Sequence, residues 1–200
     1  MIKKKNTWLV TGGAGFIGSN LVNYLIEKKQ KVICVDNFFN GFIKNIKNPY
    51  SKNFIFLKLD IRDLKKKHIK FKVDYFIHLA AIGSVPRSFK NPIETNSVNL
   101  EGSLKMIDLA HSLKCKSFTF ASSSSVYGNS KKREKKEDDK ENPISPYGNS
   151  KFSFEKYAQI LSEFYNLKTT GIRFFNVFGP NQNPEGVYSA VIPRWVSRLS

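Results

Sequence analysis

The feature that most constrains the fold is a short apolar segment that runs directly into three evenly spaced glycines. Residues 7–11 have the composition of a strand, and Gly12, Gly15 and Gly18 follow at intervals of three residues. From 16 to 28 the apolar residues recur at helical spacing. A strand that turns through glycines into a helix brings the amides at the helix N-terminus close to an anion. The pattern predicts a phosphate-binding turn, although purely structural strand-to-helix corners also use glycines.

The same alternation of strand and helix continues along the chain. The further strand segments are apolar through their length, and helical patterns separate several of them. Such strands are typical of a parallel sheet that is covered on both faces. No internal repeat or low-complexity linker divides the chain. We therefore predict one α/β domain with a doubly wound parallel sheet, with strands at 7–11, 31–35, 53–59, 74–79, 117–121 and 169–174 and further helices at 95–113 and 147–165.

A carboxylate stands where the second predicted strand ends. Asp36 follows Gly18 by 18 residues. At this position a carboxylate accepts hydrogen bonds from an adenosine ribose and repels a 2′-phosphate. The glycines, the helix and Asp36 in register therefore predict a Rossmann-like domain that binds NAD rather than NADP.

A tyrosine and a lysine stand four residues apart in the last long predicted helix. Tyr147 and Lys151 would share one helix face. A phenol has a pKa of about 10, so a tyrosine base needs a cation beside it, which Lys151 could supply. By itself the spacing also fits a chance surface pair. The serine run 122–125 follows the fifth strand, where parallel sheets place ligand contacts. A hydroxyl there could share a substrate proton with Tyr147, and the alternative is a flexible or capping loop.

The formal charge of +17 does not by itself indicate a nucleic-acid partner. Only six of the 33 basic residues are arginine, and the lysines are scattered among many Asn, Ile and Phe residues. These four residue types have A/T-rich codons, so base composition could account for the bias. The charge run 131–141 mixes both signs, as a solvated loop does. We expect no nucleic-acid binding, because no basic stripe is interleaved with aromatic residues.

Other function classes are disfavoured by what the sequence lacks. No apolar run approaches the roughly 18 residues of a membrane span, and the short apolar stretch near the start does not predict a secretion signal. Cys34 and Cys115 cannot form a disulfide framework, so we expect a cytoplasmic protein. His68 and His111 have no companions at ligand spacing, so we expect no metal. His78 is expected to line the cofactor turn without titrating.

Several motifs together resemble a known family. They are similar to those of the extended short-chain dehydrogenases/reductases, which act on nucleotide sugars bound beside NAD. The resemblance covers residues 8–195. It is carried by the glycine turn, His78-Leu-Ala-Ala81, Ser125-Val-Tyr-Gly128, Ser145-Pro-Tyr147 with Lys151, and Arg173-Phe-Phe-Asn176-Val-Phe-Gly-Pro180.

Three short loops narrow the resemblance. Residues 83–88, 179–184 and 188–193 are similar to those of UDP-N-acetylglucosamine 4-epimerases, a group that includes enzymes acting on the corresponding uronic acid. Related 4,6-dehydratases carry an Asp-Glu pair after the catalytic residue, whereas Ser124 and Ser125 stand here. Removing water needs an acid and a base, so the resemblance favours an epimerase.

The resemblance implies a mechanism and a set of site residues. Tyr147 would remove the proton of the sugar 4-hydroxyl, Ser123 would assist, and Lys151 would hold the nicotinamide ribose and lower the Tyr147 pKa. The implied NAD contacts are Gly12, Gly15, Phe16, Ile17, Gly18, Asp36, Asp60, Ile61, Ala80, Asn99, Tyr147 and Lys151. The implied UDP-sugar contacts are Ser84, Ser123, Asn176, Gln182 and Val191.

The resemblance also implies a domain division and a partner. Residues 1–175 would form the NAD-binding domain and 176–200 the start of a smaller nucleotide-sugar region, which is largely missing because members of the family continue further. Members pair through helices, so a homodimer is expected. Two functions remain open at this point, an epimerase and an NAD-binding remnant or partner subunit that does not turn over a sugar nucleotide.

Overall fold

The central element is a six-stranded parallel sheet. The structure is a computed structural model that describes residues 4–183 and 191–199. The strand order is β3-β2-β1-β4-β5-β6, and every neighbouring pair is parallel. The predicted doubly wound parallel sheet is confirmed. The strands are β1 Thr7–Thr11, β2 Lys31–Asp36, β3 Phe54–Lys58, β4 Tyr75–His78, β5 Ser117–Ser123 and β6 Lys168–Phe174.

In the part of the chain that the structure describes, six α-helices accompany the sheet. Within the described ranges none has the length and apolar composition of a membrane-spanning segment. Short 3-10 turns occupy Ile43–Asn45, Lys66–His68 and Ser124–Tyr127. The helices are α1 Phe16–Glu27, α2 Val85–Lys90, α3 Pro92–Asn96, α4 Ser103–Ser112, α5 Pro146–Phe164 and α6 Val191–Leu199.

The helix expected at 95–113 has a different form in the structure. A helical stretch begins already at Pro92, where the missing amide of proline costs no hydrogen bond. It passes through a π-helical turn, Ser97–Gly102, before it continues as α4. Asn99 is a buried residue of this turn and belongs to the site described below.

Alternate strand residues supply two core layers on opposite faces of the sheet. In β1, Leu9 packs into the layer that holds Phe76 and Phe118, together with residues of α4 and α5. Its neighbour Val10 packs into the second layer, beneath Val22 and the rest of α1. Successive side chains of a strand point to opposite faces, so only a strand that is apolar throughout fits between two helical layers.

The last strand is the most exposed part of the sheet. Among the described residues, β6 pairs with β5 alone, and most of its side chains are exposed or half-exposed. Ile172 is 42% exposed. The strand still aligns Arg173 and Phe174 with Ser122 and Ser123, so it positions charged and polar groups at the end of β5.

Candidate cofactor and catalytic site

An open cleft of about 960 Å³ lies at the carboxyl ends of the strands. This edge of a doubly wound sheet, where the strand order reverses, is the usual ligand site of such folds. Of the predicted cofactor contacts, Asn99, Tyr147 and Lys151 do not line the cleft. Those that do line it are Gly12, Gly15, Phe16, Ile17, Gly18, Asp36, Asp60, Ile61 and Ala80.

The glycine turn is shaped by close backbone approach. Gly12 has φ +68°, and a β-carbon there would lie 2.6 Å from the Ala80 amide nitrogen. A β-carbon on Gly18 would lie 2.1 Å from the Gly12 carbonyl oxygen. Only glycine fits either position. The turn places the start of α1 at the cleft. No side chain caps that helix, and no acidic residue lies in its first turn. Its amides and its partial positive charge therefore suit a phosphate.

Two aspartates follow neighbouring strands at the rim of the cleft. Asp36 Oδ2 accepts a hydrogen bond from the Ala14 amide at 3.0 Å, and its Oδ1 accepts one from Phe38 at 2.8 Å. A carboxylate has acceptor capacity beyond these two bonds, which a ribose hydroxyl can use. Asp60 is bound bidentately by Arg62 at 2.8 and 2.9 Å, and this contact is the main cause that lowers the Asp60 pKa to about 2.

The predicted catalytic groups converge at the end of β5. Ser123 is the last residue of the strand, and its hydroxyl accepts a hydrogen bond from the Ser125 amide at 3.1 Å. Helix α5 begins beside it, with Ser145 as N-cap and Pro146 in the first turn. A β-carbon on Gly148 would lie 2.7 Å from the Ser125 carbonyl oxygen, so the two segments pack tightly.

Lys151 links this cluster to the cleft. Its side chain is 4% exposed, and its Nζ donates a hydrogen bond of 2.9 Å to the Ala121 carbonyl. Ala121 lines the cleft. Burial lowers the Lys151 pKa to about 8, and the negative charge of Glu155 opposes that change.

The Tyr147 phenol is half-buried against Ser123. Burial is the larger influence and raises the Tyr147 pKa, while the contact with Ser123 acts to lower it. The phenol is therefore held in its protonated form here. The Lys151 ammonium is directed at the strand carbonyl, and its expected lowering of the Tyr147 pKa stays a prediction.

Asn99 lies behind the wall of the cleft. It is fully buried, its Oδ1 accepts a hydrogen bond from the Ile82 amide at 2.8 Å, and its Nδ2 donates to the Ile82 carbonyl at 3.0 Å. The same Nδ2 lies 3.4 Å from the Ser150 hydroxyl. Because Ile82 lines the cleft, Asn99 fixes the cleft wall and joins it to α5.

A buried polar chain, which sequence reasoning missed, connects the glycine turn to the π turn. The Thr11 hydroxyl lies 2.7 Å from His78 Nδ1, and the Ser103 hydroxyl lies 2.9 Å from His78 Nε2. Ser103 donates its proton to the Asn99 carbonyl at 2.6 Å, so it must accept from His78. The hydrogen is therefore on Nε2. Burial, with a smaller effect of Lys151, lowers the His78 pKa to about 3, so the ring stays neutral.

The predicted UDP-sugar contacts are not gathered in one place. The Ser84 hydroxyl caps α2 by accepting the Arg87 amide at 3.0 Å. Asn176 is exposed after β6. Gln182 lines the cofactor cleft, and among the described residues its Oε1 is buried without a hydrogen-bond partner. Val191 begins α6, and its side chain lies outside the described residues.

Arg87 is a cleft residue that sequence reasoning did not single out as a contact. Its guanidinium lies 5.1 Å from the centre of the Phe39 ring, and both side chains line the cleft. An arginine within the loop 83–88 was the available signal. In the part of the chain that the structure describes, no group of three His, Cys, Asp or Glu side chains is arranged to hold a metal ion.

Comparison with known proteins gives one family and consistent structural neighbours. The model of the NAD dependent epimerase/dehydratase family matches residues 8–200. A UDP-glucose 4-epimerase of Lacticaseibacillus casei is 34% identical over 176 residues, which cover 86% of this chain and 52% of that protein.

Two solved structures share the fold closely. The UDP-N-acetylglucosamine 4-epimerase from Methanobrevibacter ruminantium M1, in complex with UDP-N-acetylmuramic acid, has a TM-score of 0.93 and 39% identity, covering 98% of this chain and 63% of that chain. The UDP-glucose 4-epimerase of Thermus thermophilus in complex with NAD has a TM-score of 0.82 and 34% identity, covering 90% of this chain and 58% of that chain.

The site fits the cofactor named by this family. The uncapped start of α1 suits a pyrophosphate, and Asp36 suits an adenosine ribose. The chain spans between half and two thirds of the length of these similar proteins. On the family model, the relatives and the geometry of the cleft together, the chain belongs to the NAD dependent epimerase/dehydratase family.

Proposed function

We propose that this chain carries the cofactor half and the catalytic groups of a UDP-N-acetylhexosamine 4-epimerase, which interconverts UDP-GlcNAc and UDP-GalNAc through a 4-keto sugar. The observation that carries the proposal is the convergence of Ser123, Tyr147 and Lys151 at the end of β5, beside the cleft. Residues 1–175 would form the NAD-binding domain, and 176–200 would begin the nucleotide-sugar region.

Proton transfer falls to Tyr147 and Ser123. Tyr147 as phenolate takes the proton of the 4-hydroxyl, and Ser123 hydrogen-bonds to the same oxygen. NAD, held at the start of α1 and by Asp36, would supply the redox chemistry, which is reversible hydride exchange with the sugar C4. Tyr147 then gives its proton back to the 4-oxygen. The Lys151 ammonium favours the phenolate through its positive charge.

An epimerase is favoured over the dehydratases of the family by the residues after Ser123. Ser124 and Ser125 form a 3-10 turn and supply hydroxyls where elimination of water would need a carboxylic acid and a base. The carboxylate of Glu155 is bound by Arg173 and Ser122, so it is not available as an acid.

The N-acetylhexosamine is supported by the similarity to the Methanobrevibacter enzyme, whose name gives that substrate class. The loop 83–88 contributes Gly83 and Arg87 to the cleft lining. A corresponding UDP-N-acetylhexosaminuronic acid is the alternative substrate.

The proposal is tested by incubating the purified chain with NAD and UDP-GlcNAc and resolving the two C4 epimers by chromatography. We expect UDP-GalNAc to form, and Tyr147→Phe to reduce the rate at least about 100-fold while NAD still binds. UDP-N-acetylglucosaminuronic acid is the parallel substrate. Bound NAD without an epimer from either sugar would contradict catalysis by this chain and favour an NAD-binding partner subunit.

We propose a homodimer through the exposed face of α5. Tyr157, Ile160 and Phe164 recur at helical spacing and are 48%, 65% and 81% exposed. An apolar face of this kind marks an interaction surface. Light scattering coupled to size exclusion should give twice the chain mass, and Ile160→Glu should give the monomer. A monomeric wild-type chain would contradict the pairing.

We also propose a reducing, cytoplasmic location. Cys34 and Cys115 are both free and buried in the two core layers. Burial raises the pKa of the Cys115 thiol to about 12, so the group is unreactive. Fractionation of the producing cells would test the location, and recovery with secreted proteins would contradict it.

A further inference from the structure

Glu155 stands one helical turn after Lys151 on α5, at the same four-residue spacing that separates Lys151 from Tyr147. Its side chain is 13% exposed. Three donors occupy the carboxylate: Arg173 Nε at 3.0 Å, Arg173 Nη2 at 2.7 Å, and the Ser122 hydroxyl through a short hydrogen bond. Such a fully bonded carboxylate is a fixed negative charge.

The partners of Glu155 hold the same strand segment that holds Lys151. Ser122 is the neighbour of Ala121, whose carbonyl accepts the Lys151 ammonium. Two successive residues of β5 therefore bind two successive turns of α5, one through a cation and one through an anion. A shift of Glu155 would move Ser122 and the adjacent Ala121, whose carbonyl accepts the hydrogen bond from Lys151.

The charges form a partly buried network. Lys151 and Arg173 are its cations, Glu155 and Glu141 are its anions, and the exposed Lys156 also pairs with Glu141. Arg173 Nη2 also donates to Glu141 at 2.7 Å, and the Arg173 guanidinium lies 4.7 Å from the ring centre of Tyr127. Removing one member would leave a neighbour buried without its partner, which is costly in a poorly solvated site.

The groups that face Lys151 identify Glu155 as its source of negative charge. On β4, His78 is neutral; on β5, the Ala121 carbonyl is a dipole; on α5, Tyr147 is protonated and Glu155 carries the carboxylate that Arg173 binds. Glu155 is the group that opposes the effect of burial on Lys151.

We propose that Glu155 is a positioning residue that keeps Lys151 charged and in place against the Ala121 carbonyl. The catalytic consequence rests on the proposed function, because a neutral Lys151 would no longer favour the Tyr147 phenolate. The effect on the charge of Lys151 stands independently of turnover.

The test is an NMR titration of the lysine side-chain carbons in the full chain, with the Lys151 signal assigned by its loss in Lys151→Arg. Glu155→Gln should lower the Lys151 pKa by about one unit, a tenfold change. Glu155→Asp keeps the negative charge, so its Lys151 pKa should lie close to the wild-type value. Glu141→Gln is the matched control, because it removes a charge that pairs with Arg173 but does not face Lys151, and it should leave the Lys151 pKa unchanged.

Kinetics gives a second readout. In Glu155→Gln the alkaline limb of the pH profile of epimerisation should move to lower pH, by as much as the Lys151 pKa falls in the NMR titration. A Lys151 pKa in folded Glu155→Gln that equals the wild-type value would overturn the proposal. Should Gln prevent folding, Glu155→Met removes the same charge at similar size, and an unchanged Lys151 pKa in that variant would overturn the proposal equally. A wild-type chain that shows no turnover contradicts the proposed function, while the titration still decides the role of Glu155.

Discussion

Single residues determine how closely the glycine turn after β1 can pack against the loop after β4. Gly12 lies directly against the backbone of Ala80, and the preceding residue, Thr11, hydrogen-bonds to His78. The glycine requirement was visible in the sequence, because a strand that ends in spaced glycines before a helix is typical of a tight phosphate-binding turn. The role of His78 was only partly predicted, since its neutrality depends on Thr11 and Ser103, which lie 67 and 25 residues away.

Gly12→Ala should lower the free energy of unfolding by about 2 kcal/mol, because it adds a β-carbon against Ala80 at positive φ. Urea unfolding at pH 7.5 measures this change. Gly83→Ala is the matched control, since a β-carbon there meets nothing within 4 Å, and it should change stability by less than about 0.5 kcal/mol. Equal effects of the two substitutions would contradict the close approach.

Stability should fall in mild acid because His78 is buried and neutral. Its pKa is lowered from 6.5 to about 3, so below pH 6.5 the unfolded chain binds a proton that the folded chain does not. Linkage then predicts a loss of about 2 kcal/mol between pH 7.5 and pH 5. Urea unfolding across this range should show the loss in wild type and in a variant of the exposed His111, His111→Gln. A His78→Gln variant that keeps the wild-type pH dependence would contradict the assignment.

At the scale of elements, strands were more predictable than helices. The strands that lie between two helical layers must be apolar on both faces, and this pattern is local. By contrast, α2 and the π turn were not predicted. The π turn contains Asn99, whose amide bonds to Ile82 17 residues away. A tertiary hydrogen bond of this kind leaves no periodic signal. The spacing of Tyr147 and Lys151 was visible in the sequence, whereas the role proposed for Glu155 depends on β6 placing Arg173 beside α5.

Breaking the contact between β6 and α5 should destabilise the fold. Arg173→Met removes the guanidinium that binds the partly buried Glu155 and Glu141 at 2.7 Å, and we expect a loss of about 3 kcal/mol in the free energy of unfolding. The exposed Lys156 also pairs with Glu141, at 3.7 Å, so Lys156→Met should cost less than about 0.5 kcal/mol. Denaturant unfolding of both variants tests the difference. A loss in Arg173→Met no larger than in Lys156→Met would show that the network contributes little.

At the scale of the whole molecule, sheet topology brings the two parts of the site together. β1 and β4 are neighbours, with Thr11 beside His78, so the glycine turn faces the loop after β4. β5 then adds Ser123, and α5 adds Tyr147 and Lys151. Residues more than a hundred positions apart in the chain thus share one edge of the sheet. The alternating pattern predicted a doubly wound parallel sheet but not the order of its strands. The substrate contacts after β6 were expected only from the family resemblance, because they depend on packing rather than on local pattern.

The most direct test of the account follows the hydrogen on the sugar C4. UDP-GlcNAc carrying deuterium at C4 is incubated with the chain and NAD in ordinary water, and the epimer is analysed by mass spectrometry and NMR. The account predicts UDP-GalNAc that retains deuterium at C4, formed by wild type and lost in Tyr147→Phe. An epimer that has exchanged its C4 deuterium for solvent hydrogen, or that forms equally well without Tyr147, would contradict it.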